Sequence, residues 1–269
     1  MAKTPNTING RMNLMDIVTV AGLILGLIGV FVGMYLKGVP FTALGVPAAY
    51  LIIIVGTMGA VLIASPKERL KTVGKLLGVI FGDKKYMSKQ KAIEELVHFT
   101  EIARQEGLLA LEKVSDKIED PFLQRGIAMI NIGAAPEFVE DMLLEEIAAT
   151  EERHNANAQI FTQAGTYAPT LGVLGAVIGL IAALTNLNDV EKLGHAISAA
   201  FIATMLGIFT GYVLWHPFAN KLRQKSLIEM ETKMLIIKGI IALLHGENPQ
   251  LMREKLTSYL AVSERTKHE

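Results

Sequence analysis

A chain of 269 residues with 51% hydrophobic and only 19% charged side chains, and a mean hydropathy of +0.38, is too apolar for a water-soluble domain of this size. Its formal net charge is zero, so bulk charge offers nothing to nucleic acid, and no run resembles a nucleic-acid-binding module. The absence of cysteine excludes disulfides, zinc thiolates and thiol nucleophiles, and the six histidines are not spaced as metal ligands.

A helix needs about 20 apolar residues to cross the hydrocarbon core. Four stretches qualify: 17–36, 43–64, 167–184 and 197–215. The first is longer and richer in glycine than the apolar core of a cleaved signal, and no small-residue cleavage site follows it, so it reads as a retained anchor. The segment after the second span carries Lys67, Arg69, Lys71, Lys75, Lys84, Lys85, Lys89 and Lys91, and "NKLRQK" follows the fourth. The links "KGVPFT" and "NLNDVEKLG" are short and poor in lysine. Lysine and arginine stay on the cytoplasmic side, which predicts cytoplasmic termini, a cytoplasmic middle segment and two small outer links.

The middle segment reads as helical. "AIEELVHFTEIARQEGLLALEKV" places Ile93, Leu96, Val97, Leu108 and Leu111 near one stripe. In "EDPFLQRGIAMINIG", Asp120 is a candidate N-cap, Pro121 the first helical residue and Gly133 the stop. A further helix starts at Pro136 with acids in its first turn. The expectation is an all-α membrane protein: four transmembrane helices with a helical cytoplasmic domain inserted between helices 2 and 3. The divisions fall at 1–64, 65–165, 166–217 and 218–269.

The stretch "TYAPTLGVLGAVIGLIAAL" carries no charge, and Gly172, Gly175 and Gly179 thin one side of it to backbone. Gly207 and Gly211 repeat the four-residue spacing in the fourth span, and Gly22, Gly26, Gly29 and Gly33 line the first. Membrane helices associate by close backbone packing. Two readings stay open: seams within one bundle, or room for a helix from another chain. No Asp, Glu, Lys or Arg lies inside any span, and Asp16 sits at the edge of the first. Ion-translocating proteins need an ionisable group at membrane depth, so this chain either moves no ion or borrows a carboxylate. Its hydroxyls at depth are Thr57, Thr204 and Thr210, which either bond back to their own helices or line a wet path. Pro169 is expected to open the third helix and Pro217 to close the fourth; each removes an N–H and either punctuates or kinks. His154, among acids in "EERHN", is expected to be an ordinary surface residue.

Four spans, tiny outer links, a large helical cytoplasmic segment and "YAPTLGVLGAVIGLIAAL…LGHAISAAFIATMLGIFTGYVLWHPFANKL" together resemble the MotA/PomA family of flagellar motor stator proteins, its Bacillus-type members in particular. The resemblance covers nearly the whole chain. It implies a ring, thought to be a pentamer, around single-span MotB-type chains whose membrane aspartate takes and releases the ion. It implies that the cytoplasmic domain pushes on the rotor protein FliG through charges corresponding to Arg104 and Glu112 in "RQEGLLALE". On an unbroken helix those two would lie within one quadrant, but Gly107 stands between them. The family's functional prolines correspond to Pro169 and Pro217, and its fourth-span hydroxyl beside the ion path to Thr204. Sodium-using relatives carry threonine where this chain has Ala176. A sodium ion wants several oxygen ligands, so the missing hydroxyl implies the proton as coupling ion, with no other cofactor.

Two alternatives remain. An energiser similar to ExbB or TolQ usually has three spans and a different order of loops. A self-contained channel or transporter needs broken helices or buried charges of its own. No phosphate loop, catalytic triad or metal-ligand cluster appears, so an enzyme is not expected.

Overall fold

The computed structural model describes residues 16–82, 86–115, 117–185 and 187–265, and among them it forms helices and no strand. Helix α1 is Ile17–Leu36; the Asp16 carboxylate caps it by accepting from the Thr19 amide at 3.1 Å. A tight turn at Phe41–Leu44 leads into α2, Pro47–Ala64, which contains one wide π turn at Leu51–Val55. Extended Ser65 and Pro66 end α2, and α3 follows at Val73–Phe81. Helix α4, Lys89–Glu106, begins at the Ser88 cap and stops at Gly107, whose φ of 86° only glycine adopts without strain. Helix α5, Pro121–Asn131, starts as its sequence dictates: Asp120 accepts from the amides of Phe122 and Leu123, both at 3.0 Å. Gly133, at φ 75°, then turns the chain. Helix α6 is Pro136–Leu184, α7 is Val190–Leu244 and α8 is Pro249–Thr257.

The long helices differ from the sequence expectation. Pro169 does not open a helix; it lies inside the 49-residue α6. Pro217 does not close the fourth span; α7 continues through it to Leu244. Both interruptions are absorbed locally. A π turn at Thr210–Trp215 precedes Pro217, and such adjustments re-satisfy carbonyls that a proline leaves free. Gly165 O, the carbonyl that Pro169 cannot bond, faces Gly211 on α7, where a Cβ would come within 2.8 Å.

The chain divides into two compact units, one of residues 1–84 and 156–222, the other of 85–155 and 223–269. In the first, four helices are long and apolar enough to cross a membrane. Only 6% of the apolar window of α1 is buried, and Leu25, Val32, Ile63, Val173, Ile181 and Phe201 are exposed. Apolar area left open on this scale suits lipid or other membrane helices. A small core of Ile80, Ala158, Phe161, Ala219 and Leu222, with Trp215 and Phe218 against it, closes this unit around α3.

The second unit has a dry core. Leu96, Leu111, Leu123, Ile127, Leu143, Leu235, Ile237 and Ile240 are fully buried. They come from α4, the turn at Leu108–Leu111, α5, the start of α6 and the end of α7; Met252 and Leu256 of α8 complete the cluster. The expected stripe of α4 holds for Ile93, Leu96 and Val97. Leu108 departs from it and stands 37% exposed, because Gly107 ends the helix before it and Leu108–Leu111 form a separate tight turn.

Candidate functional site

The spans of α6 and α7 meet along their glycines. A Cβ on Gly172 would lie 2.9 Å from Ala203 O and 3.0 Å from Gly207 Cα; one on Gly207 would lie 2.7 Å from Ala168 O. Gly211 abuts Pro169, and Gly175 and Gly179 face the methyls of Ala203 and Ala200 at 3.3 and 3.2 Å. Pro169 therefore sits in the same contact, its ring against the α7 backbone. These glycines face a helix of their own chain. The glycines of α1 divide differently: Gly26 faces Val213, whereas Gly22, Gly29 and Gly33 have open space beside them.

Hydroxyls at membrane depth separate into two kinds. Thr204 donates to Ala200 O at 3.3 Å and Thr210 to Leu206 O at 2.9 Å, so both bond back to their own helix. Thr57 is buried, and its hydroxyl has no partner among the described residues. The carbonyl four residues back, Ile53 O, already accepts from the Gly56 amide at the wide turn. Ala176 is half-buried on α6. Thr204 also lines an apolar groove of about 450 Å³ with Val30, Phe201, Met205, Ile208 and Tyr212. Among the described residues no group of His, Cys, Asp or Glu is arranged to hold a metal ion.

One charged pair at the edge of the spans was not legible beforehand. The Asp16 carboxylate meets Lys221 Nζ at 2.7 Å, with side chains only 14% and 31% exposed. Asp16 therefore caps α1 and ties it to α7 at once. In the sequence Lys221 is only one more cation after the fourth span; the fold brings it to Asp16.

In the second unit, Arg104 and Glu112 are both exposed, and neither side chain has an ion-pair partner within 4.0 Å among the described residues. They do not share an unbroken helix. Arg104 lies in the last turn of α4, Gly107 turns the chain, and Glu112 begins a separate short helix, Glu112–Ser115. Their spacing on this surface comes from a glycine turn and not from helical periodicity.

His154 corrects another expectation. It is half-buried, and its Nδ1 lies 2.9 Å from the Oγ of buried Ser226 on α7. Further along α7, Glu229 pairs with Lys233 at 2.9 Å, both nearly buried, and Lys233 sits 5.3 Å from the centre of the Phe122 ring. Burial, with Glu229 beside it, pushes the Tyr86 phenol above its ordinary pKa. On α4, burial likewise raises Glu95, although Lys91 lies 3.8 Å away and pulls in the other direction.

Comparison with known proteins places this geometry. Residues 114–234 match the MotA/TolQ/ExbB proton channel family. Motility protein A of Bacillus subtilis (strain 168) is 51% identical over 253 residues, which cover 94% of each chain. A chain in the structure of the flagellar MotAB stator complex from Bacillus subtilis matches with a TM-score of 0.89 at 51% identity, covering 94% of this chain and 99% of that one. A chain in the structure of C. jejuni MotAB matches with a TM-score of 0.87 at 30% identity, over 92% of this chain and 97% of that one. Sequence and fold agree along nearly the whole length, and this chain belongs to the MotA/TolQ/ExbB proton channel family.

Proposed function

We propose that this chain is a stator subunit of the bacterial flagellar motor. It assembles in several copies with a MotB-type membrane protein, and together they convert ion flow across the inner membrane into torque. It is not an enzyme. One observation carries the reading: residues 17–36, 43–64, 167–184 and 197–215 contain no Asp, Glu, Lys, Arg or His, in a chain that belongs to a proton channel family. A proton path needs a titrating group at membrane depth. Here that group is the aspartate of the partner's single span, and α6 and α7 supply the wall beside it. The four spans separate this reading from a three-span energiser.

The finer assignments rest on chemistry. The coupling ion is the proton: at the position where sodium-using relatives carry threonine, Ala176 offers no side-chain oxygen to a sodium ion. Pro169 and Pro217 mark where the helices beside the ion path give up a backbone hydrogen bond. The pentameric ring rests instead on the resemblance to the MotA/PomA family. The contact with the rotor protein FliG runs through Arg104 and Glu112, whose exposure and free charge suit a surface that must align and release quickly. The termini and the middle segment are cytoplasmic, by the placement of lysine and arginine.

The test is proton flux into liposomes. The chain co-reconstituted with its single-span partner should conduct, and exchange of the partner's membrane aspartate for asparagine should stop it. Flux at an undiminished rate from this chain alone would overturn the reading. For the ion, swimming speed should follow the proton gradient and ignore external sodium at fixed pH.

A further inference from the structure

Residues 67–75, from the end of α2 into the first turn of α3, carry four cations, Lys67, Arg69, Lys71 and Lys75, against one carboxylate, Glu68. All four are exposed. Lys67 approaches Glu68 only at 3.9 Å, with both side chains more than two-thirds exposed. Arg69, Lys71 and Lys75 have no ion-pair partner among the described residues. Elsewhere in the same unit, Lys221 and Lys192 each find a carboxylate within 3.0 Å.

The fold fixes where these charges stand. The C-terminal end of α2 and the N-terminal end of α1 emerge on the same side, because one short link joins the opposite ends of these two spans. Helix α3 runs from the exit of α2 to the entry of α1, where Phe81 O accepts from the Asp16 amide at 2.8 Å. It therefore lies along the membrane face. Its inner side, Val73, Leu76, Leu77 and Ile80, packs against Phe161 and Phe218. Its outer side holds Gly74, Lys75 and Gly78, and a Cβ on either glycine would meet nothing within 4 Å. The two glycines leave the α3 backbone beside Lys75 uncovered by side chains.

The geometry points to a headgroup site for anionic phospholipid, formed by Lys67, Arg69, Lys71 and Lys75 around the start of α3. Each cation near an anionic leaflet strengthens binding by roughly five-fold, and the effect falls with salt. Lipid is favoured over a soluble phosphate because the cations follow directly on the end of a span, with apolar Leu62 and Ile63 exposed just before them for acyl chains to cover. The site thus ties the end of α2 to the charge of the membrane.

The chain carries its own probe. Trp215 is its single tryptophan and clusters with Leu70 and Val73, beside the cations. The complex, with any tryptophan of the partner replaced by phenylalanine, is reconstituted in phosphatidylcholine vesicles. Brominated phosphatidylglycerol or brominated phosphatidylcholine is then titrated in, and quenching of Trp215 is read. At low salt the anionic lipid should be preferred at least about five-fold, falling to within about two-fold near 0.5 M salt. The K67Q/R69Q/K71Q/K75Q variant should show no more than that residual preference at either salt. Equal quenching by both lipids at low salt overturns the site, as does a preference that survives in the variant or at high salt. If the variant fails to insert, the salt series on the unaltered chain decides alone. Inorganic phosphate should act no more strongly than chloride at the same ionic strength; displacement of the lipid by phosphate beyond that level would reassign the site to the free anion.

Discussion

Gly207→Ala adds one methyl group at the tightest point of the α6–α7 contact. Its Cβ would sit 2.7 Å from Ala168 O and 2.8 Å from Gly172 Cα, both backbone atoms of the facing helix. Ordinary contact begins near 3.4 Å, so the two helices must separate by about 0.7 Å. Backbone cannot swing aside as a side chain does, and overpacking of this kind costs about 1–3 kcal/mol. Alanine returns up to about 1 kcal/mol through helix propensity, leaving a net loss of about 0–2 kcal/mol, centred near 1 kcal/mol. At roughly 2–4 °C per kcal/mol for a chain of this size, Tm should fall by a few degrees. The assay is a thermal melt of the purified complex in native lipid, followed by Trp215 fluorescence. Gly22→Ala is the control, because a Cβ there meets nothing within 4 Å; it should leave Tm unchanged or slightly raised. If Gly207→Ala melts with the parent protein, or if both variants shift alike, the contact is not the close backbone approach described.

Asp16→Asn keeps an acceptor for the Thr19 amide but loses the charge that faces Lys221, whereas Asp16→Ala loses both. The melts should rank parent, then asparagine, then alanine, with the last step about 1 kcal/mol for the lost cap. Charge reversal at Arg104 or Glu112 should slow swimming in soft agar while immunoblots show normal amounts in the membrane; normal swimming by both variants would remove them from the rotor contact. The Glu95 carboxyl is raised by burial, so in the folded state it holds its proton to higher pH than in the unfolded chain. Its contribution to stability is therefore present below the ordinary carboxylate value and is lost as pH rises through the folded value. Glu95→Gln should melt higher than the parent at pH 7, and the difference should close as pH falls toward about 4.5. A constant difference across that range would show that ionisation is not the cause.

How much of this was legible beforehand depends on the range of the interaction. The limits of α1 could be read directly, because hydropathy is local, although the cap at Asp16 emerged only in the structure. So could the start of α5, where Asp120 and Pro121 act within one turn. Pro169 and Pro217 misled because the rule that proline ends helices assumes water as the competing partner. In lipid an unbonded carbonyl has none, so the helix goes on and adjusts around it. His154 misled because its neighbours in sequence say nothing of Ser226, which reaches it from α7.

Composition and periodicity by themselves determined four spans, a helical insertion and the missing membrane charge, since each is a sum over neighbouring residues. The tertiary structure decided which surface each glycine meets: Gly172, Gly207 and Gly211 face their own chain, while Gly22, Gly29 and Gly33 stand open, although the spacing is alike. It also decided that Asp16 holds Lys221 and that α3 lies between the ends of two spans. Small-residue spacing states that a backbone can come close. Only the packing of distant segments states which backbone does.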